Sequence, residues 1–125
     1  MRGLERAWMA LAALSGFLGV AFGAFAAHGL AAPLAKELMR TGSSYELIHA
    51  LAALACLALA KLGARHAIFA PPVFLVGTLL FSGSLYALAL GAPRVVGLIT
   101  PFGGLLFLAG WLVLAWAALH HDKPA

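Results

Sequence analysis

Four apolar runs, at about residues 8–27, 45–62, 72–90 and 101–119, occupy most of this chain. Each is close to the roughly twenty residues that a helix needs to cross a hydrocarbon core about 30 Å thick. That one feature excludes most soluble architectures. A soluble domain of 125 residues with 64% hydrophobic and 10% charged side chains has too much surface for its volume to hide them. Strands of a transmembrane barrel alternate in polarity over about ten residues, and these runs do not alternate. The expectation is an all-α integral membrane four-helix bundle, forming one domain over residues 1–125.

The first run has a competitor. Arg2 and Arg6 precede it, and Ala24-Phe25-Ala26 resembles the small-residue site at which secretory signals are cut. The run is longer than the usual signal core of about 7–15 residues, however, and three more follow it. It therefore reads as a span. Ser15, Gly19, Gly23 and Ala27 recur every four residues along it, a stripe of small side chains that lets another helix come close. Three partner helices are available within the chain, so the stripe is expected to pack inside the bundle.

Between the first two spans lies His28-Gly29-Leu30, then a short amphipathic piece. Leu30, Leu34 and Leu38 fall on one line, while Lys36, Glu37 and Arg40 lie off it. Pro33 suits a first helical position. The pattern predicts a short interfacial helix that Thr41-Gly42 ends. Span two then opens at Tyr45, with Ser43 as N-cap and Glu46 completing a capping box. It ends at Gly63. Pro71-Pro72 marks the start of span three, which ends before Gly91. Thr100-Pro101 supplies an N-cap and a first-turn proline for span four. His120-His121-Asp122-Lys123 reads as a solvated tail rather than a metal site. Cys56 is the single cysteine, and no pair exists for a disulfide or a CxxC centre.

The net charge of +4 would suggest nucleic acid for a soluble protein. Here every Lys and Arg sits at a span end, so no nucleic-acid partner is expected and the charges report topology. Arg2, Arg6, Lys61, Arg65 and Lys123 share one side, and Lys36, Arg40 and Arg94 the other. The excess places both termini in the cytoplasm.

Four antiparallel spans bring the end of the first, the start of the second, the end of the third and the start of the fourth to one membrane face. The polar residues follow the same order: His28, then Tyr45, Glu46 and His49, then Ser82, Ser84 and Tyr86, then Thr100. With span two starting at Tyr45, His49 would sit roughly 6 Å inside its helix. These eight residues form a candidate polar cluster in one leaflet, where ionisable groups are functional candidates. His49, whose charge changes near neutral pH, is the residue from which chemistry is most expected, with Glu46 on the same helix face. His28 and His49 do not make a haem pair, because neither has a supporting motif and His28 sits at a bend. No catalytic residue, cofactor or metal site is expected. No nucleophile elbow, metal motif or paired carboxylate is present, so the chain does not read as an enzyme.

Several runs carry a resemblance. Gly23-Ala-Phe-Ala-Ala-His28-Gly29-Leu30, Tyr45-x-x-x-His49, Phe81-Ser-Gly-Ser-Leu-Tyr86, Ile99-Thr-Pro-Phe-Gly-Gly104 and Gly110-Trp111 resemble one family of small membrane proteins. It is the bacterial domain-of-unknown-function family four-two-three, with relatives that include a small eukaryotic mitochondrial transmembrane protein. The family's Gly-Ala-His-Gly stands here as Ala26-Ala27-His28-Gly29. The resemblance implies four membrane helices and no established activity, and supplies no catalytic residues. Two roles stay open. One is an accessory or scaffold protein of the bacterial inner membrane, partnered by the bilayer and by itself or a larger membrane complex. The other is a small oligomeric transporter or channel that handles a proton, ion or small solute at the polar cluster.

Overall fold

A computed structural model describes residues 2–121; Asp122 and Lys123 of the expected tail, and Lys123 of the charge comparison, lie outside them. Four helices follow in order: α1 (Gly3–His28), α2 (Pro33–Lys61), α3 (Ala70–Ala89) and α4 (Thr100–Leu119). Short 3-10 turns at Arg65–Phe69 and Arg94–Leu98 lead into α3 and α4. No strand occurs among the described residues. All four helices are long and apolar enough to cross a membrane.

The helix ends follow local chemistry. Pro33 opens α2, and Pro71-Pro72 and Pro101 lie in the first turns of α3 and α4, where a missing N–H has no consequence. Gly63 (φ +117°) and Gly91 (φ +101°) end α2 and α3 in the left-handed region that a side chain disfavours. After each, the chain folds back in the same way: Ala64 N–H donates to Leu59 O at 3.0 Å, and Ala92 N–H to Ala87 O at 2.9 Å.

The expected short interfacial helix is not a separate element. Its residues are the first turns of α2, which runs unbroken through Thr41-Gly42 to Lys61. Glycine within a helix costs about 1 kcal/mol relative to alanine. Here contact with a neighbouring helix offsets it. A Cβ on Gly42 would lie 2.6 Å from the Tyr86 ring, so α2 and α3 cross where only glycine fits. Ser43 is consequently no N-cap, and Glu46 closes no capping box.

α2 and α3 form the centre of the bundle. About 44% of the most apolar stretch is buried in each of these spans, against 22% in the first and last. α1 packs chiefly on α2, and α4 chiefly on α3. The core between them is mostly alanine, with Cys56, Phe74 and Phe107 as its larger members. The small stripe of α1 is filled from within at three of its four positions, with Ala27 exposed: Ser15 is buried, a Cβ on Gly19 would meet the Leu47 side chain, and one on Gly23 the Ser43 hydroxyl. An ion pair between Glu5 and Lys61 at 2.8 Å joins the start of α1 to the end of α2.

Candidate functional site

The central pair presents two grooves, one occupied by α1 and the other by α4. Their chemistries differ.

In the α1 groove the contacts are hydroxyl groups. Glu46 of α2 is 5% exposed and accepts two of them, from Ser15 of α1 to Oε2 at 2.9 Å and from Tyr86 of α3 to Oε1 at 2.7 Å. One carboxylate thus ties three helices together. Ser43 donates to the carbonyl of Gly19 at 2.6 Å, and Ser82 to the carbonyl of Gly42 at 2.7 Å. Helical carbonyls already accept bonds along the helix. A serine opposite a glycine reaches their second lone pair because no side chain intervenes.

Glu46 lies deeper than the sequence suggests. With α2 starting at Pro33, its backbone is roughly 20 Å along the helix, and Ser15 roughly 18 Å along α1, at a rise of about 1.5 Å per residue. Both are near the middle of their helices.

The α1 groove is also incompletely filled. Between α1 and α3 a lateral cleft of about 440 Å³ remains open to the lipid side, with Leu14, Leu18 and Leu79 among its walls. Ser15, Glu46, Thr78, Ser82 and Tyr86 also line it. Thr78 is 7% exposed, and its hydroxyl has no hydrogen-bond partner.

In the α4 groove the contacts are rings. His49 is 4% exposed and stacks on Phe107, with centroids 3.6 Å apart and planes within 8°. Phe74 and Trp111 approach it at 5.3 and 5.9 Å. Both ring nitrogens are engaged. Nδ1 lies 2.7 Å from the Tyr45 carbonyl, which can only accept. Nε2 receives the indole N–H of Trp111 at 3.1 Å, which can only donate. The pair of contacts specifies the neutral tautomer with its proton on Nδ1.

The eight predicted cluster residues are therefore divided. Glu46, Ser82 and Tyr86 meet in the α1 groove. Tyr45 and His49 belong to the aromatic groove, where the Tyr45 ring packs on Phe81 at 4.8 Å. Ser84 donates to the Phe81 carbonyl and meets the Thr100 hydroxyl at 2.5 Å, joining α3 to α4. Thr100 thus serves another helix instead of capping its own. His28 is exposed at the end of α1. Sharing a face of α2 does not bring Glu46 and His49 together: each hydrogen-bonds into a different groove.

Sequence reasoning missed Ser15, Thr78, Phe107 and Trp111. Ser15 carried a signal as the one polar member of the small stripe. Trp111 stood in the Gly110-Trp111 run of the family resemblance, but its pairing with His49 had no signal, because a span two starting at Tyr45 puts His49 too near its face to meet the second half of α4. Among the described residues, no three His, Cys, Asp or Glu side chains gather as a metal set. Cys56 is wholly buried in the alanine core.

Residues 22–104 match the model of the family described as Protein of unknown function (DUF423). A UPF0382 membrane protein of Haemophilus influenzae is 48% identical over 118 residues, covering 92% of this chain and 95% of the relative. The UPF0382 inner membrane protein YgdD of Escherichia coli is 41% identical over 119 residues, covering 92% and 91%. A UPF0382 membrane protein of Staphylococcus epidermidis is 38% identical over 117 residues, covering 91% and 96%. No solved structure gave a significant match.

Proposed function

The chain belongs to the DUF423 family of multi-pass membrane proteins of unknown function, and on that premise we propose a non-enzymatic accessory protein that acts through helix contacts within the bacterial inner membrane. In this reading both termini face the cytoplasm, and the excess of basic residues on their side supports it. Partners are a second copy of the chain or a larger membrane complex.

The observation that supports this reading is the distribution of polar groups. Glu46 is bonded to Ser15 and Tyr86, Ser84 to Thr100, and His49 to Trp111, all inside the bundle. Groups tied to one another in this way hold helices together. What the protein offers outward is apolar side chain, including Val20 on α1 and Leu108 and Leu112 on α4. Photo-crosslinkers placed at Val20 and Leu112 in native membranes test the reading. Discrete protein adducts are expected. Recovery of the uncrosslinked chain alone from both positions removes it.

A second reading, transport of a proton, ion or small solute in an oligomer, gains from the depth of Glu46. Transporter sites lie near the middle of the membrane, and Glu46 is closer to it than the sequence indicates. Flux into liposomes that is the same for the parent protein, Glu46→Gln and His49→Ala eliminates this reading.

A further inference from the structure

We propose that the cleft between α1 and α3 binds a lipophilic amine, a protonated amino group on an apolar body, entering from the lipid side with its charge against Glu46. The site does not depend on the helix-contact reading above, and a failed crosslinking experiment leaves it untouched.

Charge is the first argument. Glu46 is the only acidic residue in the membrane-spanning part of α2, and both groups bonded to it are neutral hydroxyls. No Lys or Arg occurs between Arg6 and Lys36, between Arg40 and Lys61, or between Arg65 and Arg94. At the depth of Glu46 the bundle therefore supplies no counter-charge. A carboxylate at such depth is among the most costly groups to leave unpaired, and a ligand cation answers it directly. Each of its oxygens receives one hydroxyl and keeps a further acceptor site, enough for an ammonium N–H.

An independent argument comes from Thr78. The residue lines the same cleft, and its hydroxyl, buried beside the opening, has no partner. A hydroxyl oxygen accepts an N–H, so an amine with more than one N–H satisfies Thr78 as well as Glu46 once the threonine side chain turns toward the cleft; a hydrocarbon chain would leave both unmet. Phe22 and Tyr86, whose rings pack on each other at 4.1 Å, also line the cleft and add an aromatic wall for the body of the ligand. Leucines from both helices form an apolar remainder suited to the body of the ligand.

Size and charge then decide between occupants. The volume of about 440 Å³ lies within the range of about 300–1,000 Å³ typical of small-molecule pockets. An apolar membrane helix of a partner would bring no counter-charge to Glu46. A lipid acyl chain fits by shape but offers nothing to Glu46 or Thr78. At the cleft, Gly83 has nothing within 4 Å of where a Cβ would stand, which leaves space for entry.

Dansylcadaverine, a primary amine on a fluorescent aromatic body, tests the proposal on the full chain in dodecylmaltoside, with empty micelles as the blank. Its N-acetyl derivative keeps the body and loses the charge. Saturable binding of the amine is expected, weakened about tenfold or more by N-acetylation and by Glu46→Gln, as for removal of one member of a desolvated charge pair. Gly83→Leu, whose side chain starts in the open space beside the cleft, is expected to abolish it. Absence of saturable binding overturns the proposal. So does equal binding of the amine and its N-acetyl form, which would make the cleft a site for apolar bodies of any charge. If Glu46→Gln fails to fold, Gly83→Leu decides alone: unchanged amine binding in that variant places the amine elsewhere and overturns the proposal.

Discussion

On one side of the central α2–α3 pair the neighbouring helix is held by hydroxyl groups, and on the other by stacked rings. The α1 side is directional. Ser15, Ser43 and Tyr86 each point one proton at one acceptor, and the space left beside them remains open. The α4 side is packed at the level of His49, and its own cleft of about 410 Å³ lies farther along, beside Leu59, Leu114 and Ala118. His49, Phe74, Phe107 and Trp111 pack ring against ring, and glycines on α4 admit α3 almost to backbone contact. Without a hydrophobic drive between helices in lipid, packing and hydrogen bonding are the forces available, and the two grooves weight them differently: Ser84–Thr100 and Trp111–His49 also hydrogen-bond across the α4 side, but ring packing dominates there. The difference predicts that the α4 side carries most of the stability, while the α1 side is free to serve a ligand.

The largest effect is expected at Gly103. A Cβ there would fall onto the backbone nitrogen and Cα of Phe81, which cannot swing aside as a side chain can. Gly103→Ala should cost about 3 kcal/mol, at the upper end for overpacking, or prevent assembly altogether. Gly83→Ala on the open cleft should be close to neutral. Unfolding midpoints in detergent compare the two directly. Equal midpoints would break the claim that the α3–α4 contact is the tight one.

His49 comes next, because it separates ring packing from hydrogen bonding at a single position. His49→Phe keeps a ring against Phe107 and loses both polar contacts. Since interhelical hydrogen bonds in membranes average about 0.6 kcal/mol, it should cost about 1 kcal/mol or less. His49→Ala also removes the ring and leaves a cavity, which should cost about 3 kcal/mol, as for other large aromatic truncations. If the two substitutions prove equally damaging, the hydrogen bonds hold the α4 side and the contrast between the grooves disappears.

How far the sequence foretold these grooves depends on the kind of signal. Proline at helix starts and Gly63 and Gly91 at helix ends were legible, because each acts through its own backbone geometry. Thr41-Gly42 carried the same local signal and misled: the Tyr86 ring on another helix decides that Gly42 continues a helix. That one boundary displaced the rest. It placed Glu46 and His49 at a helix mouth instead of near its middle. It joined them in one cluster and hid Trp111 as the partner of His49. Membrane depth inferred from one helix end carries forward any error in that end. The division between grooves was illegible for another reason. Residues 46 and 49 share a face in sequence spacing, but α2 is the central helix, and its inward face is broad enough to serve both neighbours.

The smallest effects are expected on the α1 side, where they test whether the hydroxyl contacts act singly or as a unit. Ser43→Ala and Ser82→Ala each remove one bond to a carbonyl that keeps its helical partner, and should cost about 0.6 kcal/mol apiece. Ser15→Ala and Tyr86→Phe differ from these because both bonds end on the same carboxylate. Losing one donor leaves Glu46 with the other, a modest loss of the same size. Losing both leaves a buried acceptor with no protein donor, so the double variant should exceed the sum of the singles by roughly 1 kcal/mol, the scale of coupling within a shared network. A double-mutant cycle read from unfolding midpoints measures this excess. Strict additivity would mean that water already reaches Glu46 through the cleft and replaces each lost donor, and the α1 groove would then be wet as well as open.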